Sequence, residues 1–174
     1  MLKPRQPVPA LDLPLVNGAH WSLAEQRPQH FTLVVFYRGL HCPVCRAYLG
    51  ELHRLLDEFG QRGVHVIAAS TDSAERAVTA WRDWHLDRLP IGHSMSLETA
   101  RAWGLYLSAG RGKSSLGVEE PARFSEPGVF LVRPDGTLYW AAVQTMPFAR
   151  PRFDEMLKAS DTELKIDYPA RGEL

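Results

Sequence analysis

Two short runs, FTLVVFY (31–37) and VHVIAAS (64–70), set the narrowest limits on how this chain folds. Both are of strand length and rich in β-branched or aromatic side chains, and the first is continuously apolar, as a strand covered on both faces is. Between them the period changes. Cys45, Tyr48, Leu49, Leu52, Leu55, Leu56 and Phe59 recur at steps of three and four, which is one face of a helix from Val44 to Phe59. Gly60 and Gly63 then close it. A strand, a helix and a second strand in that order imply parallel pairing through a right-handed crossover, so residues 31–70 predict a βαβ unit and an α/β fold.

The flanking segments extend the same plan. LDLPLVNGAHWSL places apolar residues on both sides of Asn17-Gly18, a dipeptide suited to the positive φ angles of a tight turn, and predicts an N-terminal hairpin. STDS supplies a cap for a helix over 74–84, a short strand follows at Leu89 to Ile91, and a helix runs from Leu97 to Trp103. YLSAGRGKSSLGVEEPARFSE (106–126) is polar and aperiodic, and reads as a long loop with a functional reason for its length. VFLV (129–132), the turn Pro134-Asp135-Gly136 and TLYWAAV (137–143) predict an antiparallel hairpin. A last helix near 151–159 leads to a tail over 161–174, expected to be draped or frayed. No repeat or linker interrupts the order, so the expectation is one domain over 1–174 with its core over about 9–160.

Twenty basic and twenty acidic residues balance, with no basic block. This argues against nucleic acid and against a polybasic membrane contact. Prolines break up the N-terminal segment, and no apolar stretch approaches the ~20 residues of a membrane span, so a soluble, cytoplasmic protein is expected. In that compartment a lone pair of cysteines points to redox chemistry or metal binding before a structural staple.

The pair is Cys42 and Cys45, in HCPVC directly after the first strand. Active sites of α/β sheets gather where strand ends meet helix starts. Pro43 suits the first helical position, which leaves Cys42 as the cap. Free amides and the positive end of the helix dipole favour a thiolate there. Cys45, one turn on, lies on the same side and within disulfide reach after little movement. It begins the apolar stripe, so Cys42 is expected to be the more exposed of the two.

The order of hairpin, strand, FY-x(5)-C-x-x-C, helix, strand ending in STDS, helix and VFLV-x-x-DG resembles the thioredoxin-like superfamily. Within it the chain is similar to the peroxiredoxin-like branch of AhpC/TSA proteins, from about Pro9 to about Val143. That resemblance implies a central mixed sheet flanked by helices. Family members carry F-Y-P-x-x-x-T-x-x-C, in which the last cysteine attacks peroxide, the threonine binds the reacting oxygens and a later arginine keeps the thiolate ionised. The attacking cysteine falls on Cys45, the threonine on Cys42 and the proline on Arg38. Where the later arginine belongs stands Pro127 in EPGVFLV, the position at which thioredoxins hold a cis-proline against their cysteines. Arg38 or Arg123 is then expected to supply the positive charge.

Two mechanisms follow, and both make the chain an oxidoreductase without a bound cofactor. In one, Cys45 attacks a peroxide and Cys42 resolves the sulfenic acid to a disulfide. In the other, Cys42 attacks a substrate disulfide and Cys45 resolves the mixed disulfide. A thioredoxin- or glutaredoxin-type donor would supply electrons, and a homodimer is compatible with the resemblance. A different class of reading is non-catalytic: half of a zinc site completed by His41 and distant histidines, or a partner-binding scaffold. His41 either tunes the thiolate or merely finishes a strand, and His53 is expected to face solvent. Trp81, Trp84, Trp103 and Trp140 read as packing residues, and Glu119-Glu120 as solvated. GRGKSS is not a phosphate loop, because the earlier glycine it requires is Leu107.

Overall fold

A computed structural model describes residues 2–174. Strand β1 (Asp12–Pro14) and strand β2 (His20–Ser22) form the expected antiparallel hairpin. Gly18 takes φ +85 in its turn, and Asn17 Oδ1 accepts the Ala19 amide at 3.0 Å. Strand β3 (Phe31–Phe36) is buried along its whole length. It leads into helix α1 (Pro43–Arg54), helix α2 (Leu56–Gln61) and strand β4 (Val64–Ala69). The single helix expected over 44–59 is thus two, broken at Leu55. Gly63, at φ +63, makes the turn into β4, where Gln29 leaves no room for a Cβ.

Helix α3 (Ala74–Asp83) starts at Ser73, whose hydroxyl accepts the Arg76 amide. Strand β5 shrinks to Ile91–Gly92, and helix α4 spans Leu97–Ala102. The segment read as an aperiodic loop is instead a ribbon. Strand β6 (Leu107–Ala109) pairs antiparallel with strand β7 (Arg123–Ser125), and Lys113 bridges Glu119 farther out. Strand β8 (Gly128–Val132) and strand β9 (Leu138–Val143) form the last hairpin.

The main sheet has the order β5-β4-β3-β8-β9, with β3 parallel to β4 and antiparallel to β8. Alternation along β3 sends Phe31, Leu33, Val35 and Tyr37 to one core with α1, α2 and the last helix. Val34 and Phe36 go to a second core with α4 and the N-terminal hairpin. Trp84 and Trp103 are buried in these cores, and Trp81 and Trp140 pack against the first. This mixed, doubly covered sheet is the thioredoxin-like fold.

Helix α5 (Phe153–Ile166) runs a further seven residues beyond the expected end at 159. Its buried stripe is Phe153, Met156, Leu157, Ser160 and Glu163, so two polar residues occupy core-facing positions and hide the period. The tail is draped rather than frayed. Arg5 Nε donates to Ala170 O at 2.9 Å, and Ala170 is buried. No helix among the described residues is long and apolar enough to cross a membrane.

Candidate active site

Residues 37–42 connect β3 to α1, and their path is fixed from the next loop of the sheet. Asp72, buried after β4, accepts the Leu40 amide at 2.7 Å and Arg76 Nε at 2.8 Å. The Asp72 amide donates in turn to Ser70 Oγ at 3.2 Å. Gly39 passes over that carboxylate at φ +133, where a Cβ would lie 2.6 Å from Asp72 Oδ2. Two penalties coincide there, a backbone angle that L side chains avoid and a clash with a buried charge. Gly39→Ala is therefore expected to lower stability by about 2–4 kcal/mol. Urea unfolding followed by circular dichroism measures it.

With the loop fixed, Cys42 is the N-cap of α1 and Pro43 its first helical residue, as the sequence implies. Cys42 Sγ accepts the Cys45 amide at 3.3 Å, one of the amides that a helix start leaves free. Both sulfurs are covered: Cys42 is 1% exposed and Cys45 0%. The expected difference in exposure is absent, because the segment before α5 folds over the start of α1.

That segment carries Arg150, which the sequence reading did not single out. Its Nη2 lies 3.2 Å from Cys45 Sγ and 3.7 Å from Cys42 Sγ, and its Nε donates to Pro147 O. The guanidinium lies over the Tyr48 ring at 5.1 Å, and Tyr48 Oη donates to Pro151 O at 2.7 Å. Arg150 Nη1 is buried without a hydrogen-bond partner. Arg150 sits in MPFARP, after the last strand and before the last helix, where no periodicity applies. A basic residue between two prolines was the sole signal.

The two thiols differ in charge preference. The Cys45 thiol and then the Cys45 amide, each hydrogen-bonded to Cys42, together with Arg150 and Arg38, outweigh burial and bring Cys42 down to about 6. Burial pushes Cys45 the other way, and the neighbouring Cys42 sulfur adds to it. These surroundings favour the thiolate of Cys42 over that of Cys45. Cys45 Sγ accepts the Arg38 backbone amide at 3.4 Å, which orients it. Thiolate absorbance at 240 nm in the reduced protein should rise through pH 6 as the acid form is lost. In Cys42→Ser that step should disappear, and the remaining thiol should titrate above the ordinary value of 9.0.

The other expected site residues are placed as follows. The Arg38 side chain turns away from the sulfurs: its Nε pairs with Glu126 Oε2 at 3.1 Å, off hydrogen-bond geometry, and its Nη2 with Glu120 Oε1 at 3.6 Å. It also lies 4.7 Å over the Phe124 ring. Glu120, read as solvated, is therefore engaged with the site loop. Arg123 is exposed on β7; the guanidinium beside the thiols is that of Arg150. His41 is fully buried, edge-on to Phe124 at 4.6 Å and 3.4 Å from Arg76 Nη2. Burial brings it down to about 4, so it is neutral near pH 7. Pro127 is buried just before β8, beside the end of β3, but its peptide bond is trans: no cis bond occurs among the described residues. His53 does not face open solvent; its Nε2 meets Asp87 Oδ1 at 3.2 Å. Among the described residues no three His, Cys, Asp or Glu side chains converge as metal ligands.

The AhpC/TSA family model matches residues 4–141. No curated protein matches the chain by sequence. Several solved structures share its fold. Peroxidoxin BcpB from Mycobacterium tuberculosis is 18% identical with a TM-score of 0.72, over 93% of this chain and 98% of that one. A cysteine-to-serine mutant of the peroxiredoxin 6 of Arenicola marina is 19% identical with a TM-score of 0.77, over 96% and 75%. AhpC of Enterococcus faecalis is 16% identical with a TM-score of 0.74, over 98% and 99%.

Proposed function

The chain belongs to the AhpC/TSA family and is a thiol-dependent redox protein, and from that premise we propose that it reduces peroxides by cycling Cys42 and Cys45 between dithiol and disulfide. The Cys42 thiolate attacks the nearer oxygen of ROOH, the O–O bond breaks, and RO⁻ leaves as the alcohol after taking a proton. Cys42 becomes sulfenic acid, which the Cys45 thiol attacks, releasing water and closing the disulfide. An external dithiol of the thioredoxin or glutaredoxin type returns two electrons and two protons. The roles of the two cysteines are thus the reverse of those that the family pattern implies.

The observation that carries this reading is the Arg150 guanidinium. One terminal nitrogen reaches both sulfurs, and the other is a buried donor with no partner. A donor so placed favours the thiolate before attack and the departing oxygen during it. A second reading, exchange with a substrate disulfide, shares Cys42 as nucleophile and rests on its N-cap position. Two assays separate them. In the first, reduced protein is mixed with hydrogen peroxide or cumene hydroperoxide and consumption is followed against disulfide formation by intact mass. In the second it is offered oxidised glutathione or insulin. Stoichiometric peroxide loss with a gain of the 42–45 disulfide, faster than the second reaction, is the expected outcome. Disulfide exchange without peroxide loss would overturn it.

A further inference from the structure

A cavity of about 570 Å³ opens between β9 and α5, and neither sulfur nor Arg150 lines it. Its walls include Phe31, Leu131, Tyr139, Trp140, Met156 and Ile166. Such a volume suits a small molecule, and the aromatic rings suit a flat one. Of the charged residues along it, Arg152 and Glu155 are exposed to solvent and only Glu163 is buried. Glu163 is 6% exposed; its Oε1 lies 3.3 Å from Arg133 Nη2, and its Oε2 is buried without a hydrogen-bond partner. Arg133 is itself fixed, with its guanidinium 4.7 Å over the Tyr139 ring and 5.6 Å over that of Phe31.

We propose that this cavity binds a small, neutral, mostly aromatic or hydrocarbon molecule bearing one hydroxyl, which donates to Glu163 Oε2. A buried acceptor left unpaired is unfavourable, and a ligand donor removes that penalty while the rest of the ligand covers the rings. Neutrality follows from the ion pair. Arg133 already balances Glu163, so an ammonium ligand would leave a net positive charge in an apolar site, and a carboxylate ligand would face Glu163. The inference is independent of the thiol chemistry.

The probe is 2-naphthol, flat, neutral near pH 7 and fluorescent, titrated into the full chain. Saturable binding at one site is expected, equal in the reduced protein and in a Cys42→Ser/Cys45→Ser double variant. 2-Methoxynaphthalene keeps the ring and lacks the donor, and should bind about 10-fold more weakly, the effect of one unpaired buried acceptor. Glu163→Leu should erase that preference. Ala159 lies exposed on α5 at the cavity wall, so Ala159→Trp should fill the cavity and abolish binding of both compounds with the circular dichroism unchanged. Should Glu163→Leu not fold, the two ligands on the unaltered chain and on Ala159→Trp decide the matter. Equal affinities for the two compounds, unaltered binding in Ala159→Trp, or no binding at all would overturn the proposal, while leaving peroxide turnover to be judged by its own assay.

Discussion

Cys42→Ser is expected to lower peroxide turnover by a factor on the order of 10³ or more, because it removes the thiol whose ionised form its surroundings favour. The remaining Cys45 is buried with its thiol held in the neutral form, so little sulfenic acid should form on it. Cys45→Ser should fail differently. It leaves the nucleophile but removes its resolving partner, so one equivalent of peroxide is consumed in a burst and the cycle stops at sulfenic acid on Cys42. It also removes the thiol hydrogen bond that favours the Cys42 thiolate, so the burst should be slower at pH 6 than at pH 8. Rapid mixing with a sulfenic-acid trap, followed by peptide mass, reads both. A burst in Cys42→Ser with the trap on Cys45 would return the attack to the cysteine favoured by the family pattern.

The second large effect belongs to Arg150. Arg150→Met keeps an apolar stem against Tyr48 and removes the guanidinium from both sulfurs. Loss of one charged donor to a developing oxyanion lowers a rate by about 10²–10³. Loss of the same charge beside Cys42 moves its ionisation upward, towards the ordinary thiol range. The two consequences separate by pH. Raising the pH restores the thiolate and recovers that part of the deficit, whereas the part due to the departing oxygen persists. A deficit of about 10-fold or more that survives at pH 9 is therefore expected from single-turnover rates. Arg150→Lys should recover the titration better than the rate, because an ammonium supplies charge but not the planar fork of donors.

Arg150 also marks where reading the sequence stops. Strand β3, the start of α1 and strand β4 were legible because local pattern and tertiary role agree there: continuous apolar residues in a strand covered on both faces, and a proline at the first position of a helix. The ribbon over 107–125 was not, since three-residue strands are too short to show a period of two and most residues between them are polar or glycine. Its one large buried side chain, Phe124, packs against His41 and under Arg38, a contact between distant segments that no window of sequence contains. Arg38 and Arg123 were reasonable candidates for the missing charge, being near the motif or near the following strand. Acidic neighbours Glu120 and Glu126 pair with the first, which favours the Cys42 thiolate only from a distance, and the second lies exposed on β7. In α5, Ser160 and Glu163 stand on the buried side, Ser160 Oγ bonded to Met156 O and Glu163 Oε1 to Arg133, so the amphipathic pattern fades before the helix does.

The close approach of Gly39 to Asp72 has an evolutionary corollary. The space that a side chain at 39 would need is filled by the carboxylate of Asp72, so position 39 is not free to grow while that acid remains. Among relatives, a lineage that acquires any larger residue at 39 should already have shed the acid at 72 and found another acceptor for the amide of residue 40. Ancestral reconstruction should place the loss at 72 first, with the reverse order passing through a chain that folds poorly.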